Sequence, residues 1–80
     1  MIVSFRHKGL EEFYRTGSKR GIQSAHAGKL ARLLDALDNA REPDDIRFPG
    51  FGLHALKGDL SGHWSLWVNG NWRVTFALSA

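Results

Sequence analysis

The alternation on either side of Asn69-Gly70-Asn71 constrains this chain more than any other feature. Trp64, Leu66 and Val68 are apolar at every second position before it, and Trp72, Val74, Phe76 and Leu78 at every second position after it. A period of two belongs to β-strands, and a short Asn/Gly-rich break between two such runs marks a hairpin. A two-residue loop would pair Leu66 with Arg73 and split the two apolar sets. A three-residue loop pairs Val68 with Trp72, Leu66 with Val74 and Trp64 with Phe76. A slip of one residue turns every side chain to the other face, so the pattern predicts the three-residue loop. Trp64 and Trp72 then belong to the core. His63, Ser65, Trp67, Arg73, Thr75 and Ala77 collect on the opposite, more polar face.

The rest of the chain supplies what such a hairpin packs on. Ile2 to Arg6 reads as a short strand. Lys8 to Thr16 reads as a helix, with Leu10, Phe13 and Tyr14 on one side and Gly17 as its stop. The longest helix spans about Ser24 to Asn39, with Ser24 as the candidate N-cap. Its apolar stripe is Ala27, Leu30, Leu34 and Leu37, widened by Ala31 and Leu33. Lys29, Arg32 and Asp35 read as a solvated face. Asn39 to Gly52 is a connector broken by Pro43, Pro49, Gly50 and Gly52, with room for one turn near Asp44 to Arg47. A further strand covers about Leu53 to Lys57. The expected architecture is α+β, a single domain over residues 1–80. Two N-terminal helices pack on a curved, mainly antiparallel sheet of about four strands.

Composition narrows the function classes. Eighty residues hold one core, and 42% hydrophobic content with three tryptophans favours a folded one. There is no cysteine, which removes disulfides and thiolate metal sites and fits a reducing cytoplasm. No apolar run approaches the roughly 20 residues that span a bilayer, so no membrane partner is expected. His7, His26 and His63 have no metal-ligand spacing, and no metal or other cofactor is expected. The net charge of +3 is local: residues 1–40 carry seven Lys/Arg against four acids, and residues 41–80 carry four against four. Such a surplus permits a nucleic-acid partner without requiring one.

One constellation looks chemical. Cutting RNA with its own 2′-hydroxyl needs a base for that hydroxyl and positive charge on the phosphorane oxygens. His54, Lys57 and Arg73 are suitable parts, since imidazole titrates near neutral pH and guanidinium grips phosphate with parallel hydrogen bonds. In an unbroken strand His54 and Lys57 point to opposite faces, so both reach one site only if the strand ends or bulges between them. Each has a plainer reading: His54 as an exposed strand-end residue, Lys57 as part of the turn before Gly58-Asp59, and Arg73 paired with Asp59. Trp67 either stacks on a base or packs under the connector.

The stretch "LHALKGDLSGHWSLWVNGNWRVTF" closely resembles the hallmark of HigB toxins, in the RelE/ParE superfamily of bacterial toxin–antitoxin systems. "MIVSFRHKGLEEFYRTG" and "AGKLARLLDALDNA" resemble the earlier parts of the same family, so the likeness runs over essentially the whole chain. The resemblance implies a RelE-like fold and a cytoplasmic toxin that enters the ribosomal A site and cleaves mRNA under translation. It implies a HigA-type antitoxin that neutralises the toxin and, through its own contact with operator DNA, represses the shared operon. The family's catalytic positions carry over to His54, Lys57 and Arg73. Under the same reading Lys8, Lys19, Arg20 and Lys29 hold ribosomal RNA, with Trp67 as a stacking candidate. Similar toxins run further and finish with an acid, a tyrosine and a histidine that complete the active site, whereas this sequence stops at "FALSA". The expectation is that these 80 residues alone cleave RNA weakly or not at all. The alternative is a toxin-fold binder that acts by occupying its target, as gyrase-poisoning relatives do, or that serves only as an antitoxin partner.

Overall fold

The computed structural model describes Ile2 and residues 4–78. Two helices come first: α1 (Lys8–Thr16) and α2 (Ala27–Asn39). A sheet of β1 (His54–Ala55), β2 (Trp64–Asn69) and β3 (Trp72–Phe76) follows. The sheet order is β1-β2-β3 and both pairings are antiparallel.

The helices form where the sequence predicts them, with end chemistry that pattern reading does not reach. His7 caps α1, its ring Nδ1 accepting the Leu10 N–H at 3.0 Å. Gly17 closes α1 in the left-handed region, at φ 79°, and donates its N–H to the Phe13 carbonyl at 2.9 Å. Ser24 does not cap α2. It opens a 3-10 turn, Ser24–His26, that feeds directly into the α-helix.

The core is one cluster. Leu30, Leu33 and Leu37 of α2 meet Leu66 and Val68 of β2, and Ile46 joins them from the connector. Leu33, Leu66 and Ile46 are fully buried. Leu10 and Phe13 of α1 pack on the same cluster, so both helices cover the Leu66 face of the sheet. Ile46 is placed there by a 3-10 turn at Pro43–Ile46, which realises the short turn expected inside the connector. The Asp45 carboxylate holds the turn's entry by accepting the N–H groups of Arg41 at 2.9 Å and Glu42 at 3.2 Å. These bonds hold the Asp45 carboxyl below the usual carboxylate range.

Several expectations need correcting. Among the described residues the Ile2–Arg6 segment forms no strand, and Val3 lies outside them. The sheet therefore has three described strands rather than about four. Its first strand is two residues long, not five. The hairpin is also subtler than a three-residue loop. Trp64↔Phe76 and Leu66↔Val74 pair as predicted, but Asn69 rather than Val68 faces Trp72. The register shifts between Trp67 and Asn69, so a β-bulge supplies the extra residue and the turn tightens around Gly70, at φ 54°. Trp72 is 56% exposed and not core. It stands at the hairpin end, with the His26 ring edge-on at 6.0 Å.

The N-terminal segment is instead tied down by one side chain. Asp38 accepts the Ile2 N–H at 2.9 Å and the Tyr14 hydroxyl at 2.7 Å. It thereby joins α2, α1 and the leading segment. The Tyr14 bond, then the Ile2 bond, lower the Asp38 carboxyl's pKa, and the same contact with Asp38 raises the Tyr14 phenol's.

Candidate nucleic-acid site on the open face of the sheet

Cross-strand pairing decides which side chains share the face opposite the helices. His54 pairs with Ser65, Ser65 with Thr75, and Trp67 with Arg73. Directly opposed residues point the same way, and residues two apart on a strand do so too. His54, Ser65, Trp67, Arg73 and Thr75 therefore lie on one face. From the strand spacing and a two-residue offset, the Cα atoms of His54 and Arg73 stand roughly 12 Å apart. Two side chains that long can converge on one phosphodiester from opposite sides.

The sequence set one condition on Lys57, that the strand end or bulge between it and His54. β1 ends at Ala55, and Lys57 lies beyond it, as the residue that precedes the 3-10 turn Gly58–Leu60. The backbone stays extended through Lys57, at φ −122° and ψ 175°, and Leu56 still donates its N–H to the His63 carbonyl at 2.9 Å. His54, Lys57 and Arg73 are all exposed. Among the described residues none of the three side chains makes a hydrogen bond or an ion pair; the two ion pairs there are Arg15–Glu11 and Arg47–Asp44. Arg73 is thus not held by Asp59.

Two neighbours carry polar atoms that pattern reading assigned no role. Ser65, only 2% exposed, has a buried Oγ without a hydrogen-bond partner, and so has the His63 Nδ1. Buried polar groups are normally satisfied, so the floor beneath His54 is under-bonded.

A second basic group forms where α1 begins. Gly9 and Gly21 approach so closely that a Cβ on either would overlap the other's backbone. That contact presses the Ser18–Gly21 loop onto the start of α1 and brings the exposed Lys19 and Arg20 beside the exposed Lys8. The signal in the sequence was a glycine in each segment, legible only once their approach is known.

Lys29 and Trp67 are placed differently from these. The Lys29 ammonium donates to the Gly50 carbonyl at 2.7 Å and lies 4.8 Å from the Trp67 ring centroid and 5.6 Å from that of Phe51. Lys29 leaves the solvated face of α2, while Arg32 and Asp35 stay on it. Trp67 packs under the connector, with its backbone N–H donating to the Phe51 carbonyl at 2.7 Å.

On the helical side of the molecule a concavity of about 580 Å³ opens between α2 and the connector. Its lining includes Arg32, Asp35, Phe48 and Phe51, and none of His54, Lys57 or Arg73. Among the described residues no three His, Asp or Glu side chains group as a metal site, and no helix is long and apolar enough to cross a membrane.

Residues 3–80 match the family described as the RelE-like toxin of type II toxin–antitoxin system HigB. The Endoribonuclease HigB of Proteus vulgaris is 40% identical over 76 residues, spanning 95% of this chain and 83% of that protein. Toxin HigB-1 of Vibrio cholerae serotype O1 is 37% identical over 78 residues, spanning 95% of this chain and 82% of that protein.

Proposed function

The chain belongs to the HigB-like family of RelE-like toxins of type II toxin–antitoxin systems, and from that premise we propose that it is an endoribonuclease that cuts mRNA on the ribosome. A toxin of such a system has an antitoxin partner. We take that partner to be of the HigA type, and the place of action to be the cytoplasm, where the ribosomes are. The observation that carries the reading is the free state of His54, Lys57 and Arg73. Three nitrogen-bearing side chains are exposed on or beside one open sheet face, with no partner among the described residues. The exposed Lys57 and Arg73 cations, without an internal partner, are available to an anion. A phosphodiester supplies one.

The chemistry assigned to them is transesterification by the 2′-hydroxyl. Its oxygen attacks phosphorus, the bond from phosphorus to the 5′-oxygen breaks, and a 2′,3′-cyclic phosphate and a 5′-hydroxyl result. His54 positions or deprotonates the 2′-hydroxyl. Arg73 and Lys57 take up the charge that grows on the non-bridging oxygens, Arg73 through paired N–H donors and Lys57 as a point charge. The 5′-oxygen takes its proton from water as it leaves, and the 2′-hydroxyl proton passes to His54 and then to solvent. Around this centre the Lys8, Lys19 and Arg20 group adds a sequence-independent attraction for the RNA backbone.

The test is a purified translation reaction on a defined mRNA, with cut sites mapped by primer extension. Slow cleavage within the translated frame is expected of these 80 residues, and free mRNA should be cut more slowly still. Arg73→Ala should lower the cleavage rate by about 10²-fold or more while the circular dichroism spectrum stays unchanged. Intact mRNA together with inhibited DNA supercoiling would replace this reading with action by occupancy. Normal cleavage by Arg73→Ala would remove Arg73 from the site.

A further inference from the structure

We propose that Lys29 and Trp67 form a positioning unit that holds Arg73 in place, an inference that rests on the reading of Arg73 as the phosphate-binding residue. Trp67 is the direct cross-strand partner of Arg73. Opposed residues on one face have Cβ atoms about 4.5–5.5 Å apart, so the indole flanks the arginine stem. Among the described residues the Arg73 side chain has no hydrogen bond or ion pair. Its orientation therefore depends on its backbone and on what packs beside it.

Trp67 is held from four directions. Its backbone N–H donates to the Phe51 carbonyl at 2.7 Å. Its indole Nε1–H donates to the Gly70 carbonyl in the hairpin turn at 3.0 Å. Gly52, at φ 58°, lies so near that a Cβ there would stand 3.1 Å from the Trp67 Cβ. The Lys29 ammonium sits 4.8 Å from the ring centroid. Lys29 also fixes the connector, through the Gly50 carbonyl at 2.7 Å and the Phe51 ring at 5.6 Å. One cation on α2 thus ties the connector to the indole, and the indole ties the turn to β2. The β-bulge begins just after Trp67, so Trp67–Arg73 is the last pair before the strands change phase. Slippage there would carry Arg73 off the face that holds His54.

The unit takes Lys29 out of the pool of RNA-binding cations. Its ammonium already has a carbonyl and two aromatic faces, an arrangement that would be broken to reach a phosphate.

The test compares Lys29→Met, which keeps the stem and removes the charge, with Lys29→Arg, which keeps the charge. Lys8→Ala serves as a reference for plain RNA contact, and Lys29→Gln is a second uncharged variant should Lys29→Met fold poorly. Two readouts are used. One is cleavage of the translated mRNA, split into kcat and KM. The other is the NMR signals of the Trp67 indole N–H and the Arg73 Nε–H, with and without a 2′-O-methylated oligonucleotide that cannot be cleaved. Lys29→Met should lower kcat about tenfold at nearly constant KM, because small misplacement of a catalytic group is costly. Lys29→Arg should restore most of it. The indole and Arg73 signals should both move in Lys29→Met before any RNA is added. A raised KM with a salt slope reduced by about one would make Lys29 an RNA contact and overturn the proposal. Unmoved indole and Arg73 signals in the uncharged variants would overturn it as well. If the wild-type chain cleaves nothing, the nuclease reading fails on its own, and the NMR arm still decides whether Lys29 positions Arg73.

Discussion

Asp38 shows how much a single side chain can organise. From α2 it accepts from Tyr14 on α1 and from the Ile2 backbone. Its carboxyl is lowered from 3.8 and the Tyr14 phenol is raised from 10.0. A carboxyl with a depressed folded pKa adds stability that is present above the unfolded value and lost as the pH falls through the folded one. A phenol with a raised folded pKa adds stability that is present below the unfolded value and lost as the pH rises through the folded one. The Asp38–Tyr14 contact should therefore stabilise the fold between about 3.8 and 10.0 and fade outside that range. Urea midpoints of wild type and Asp38→Asn, measured from pH 7 down to pH 3, should converge as the acid limit is approached. A constant gap between them would show that Asp38 contributes through something other than its charge.

At the scale of elements, the joint between α1 and the basic loop is set by two glycines. A Cβ on Gly9 would overlap the Gly21 backbone, so Gly9→Ala should force the loop away and destabilise the domain by about 1–3 kcal/mol. Gly28 on α2 is the opposite case. A Cβ there would meet only the Arg32 Nη1, at 3.9 Å, and the exposed helix position should gain about 0.5–1 kcal/mol from Gly28→Ala. Urea unfolding of the two variants should thus shift in opposite directions. The hairpin teaches a related point. The apolar alternation correctly required Leu66 opposite Val74, yet more than one loop geometry meets that requirement. A tight turn plus a bulge keeps the same core pairs as a wider loop and moves Trp72 out to the corner.

Over the whole molecule the candidate catalytic residues and the core lie on opposite faces of the sheet. The helices cover the Leu66 face, and His54 and Arg73 share the other. Lys8, Lys19 and Arg20 gather at the start of α1. If these three bind RNA backbone, each replacement by alanine should reduce the slope of log affinity against log salt by about one, roughly equally for any RNA sequence. Filter binding of the purified chain to an uncleavable RNA at several salt concentrations checks this. A slope unchanged in the triple alanine variant would move the RNA contact to another surface.

The sequence by itself determined the two helices, the antiparallel hairpin, the leucine stripe of α2 and the face on which Arg73 stands. These follow from periodicity, and periodicity is local. It also carried the family likeness, because the "LKGD…NWR" pattern is contiguous in the chain. Only the tertiary structure decided the rest. Ile46 became core because a turn folded the connector inward, and Lys29 became a clamp because the connector passed within its reach. Gly9 and Gly21 acquired meaning from each other, and Trp72 lost its place in the core as the register shifted at the bulge and paired it with Asn69. Each of these depends on two segments far apart in the chain arriving at the same place, and no repeat within either segment records that.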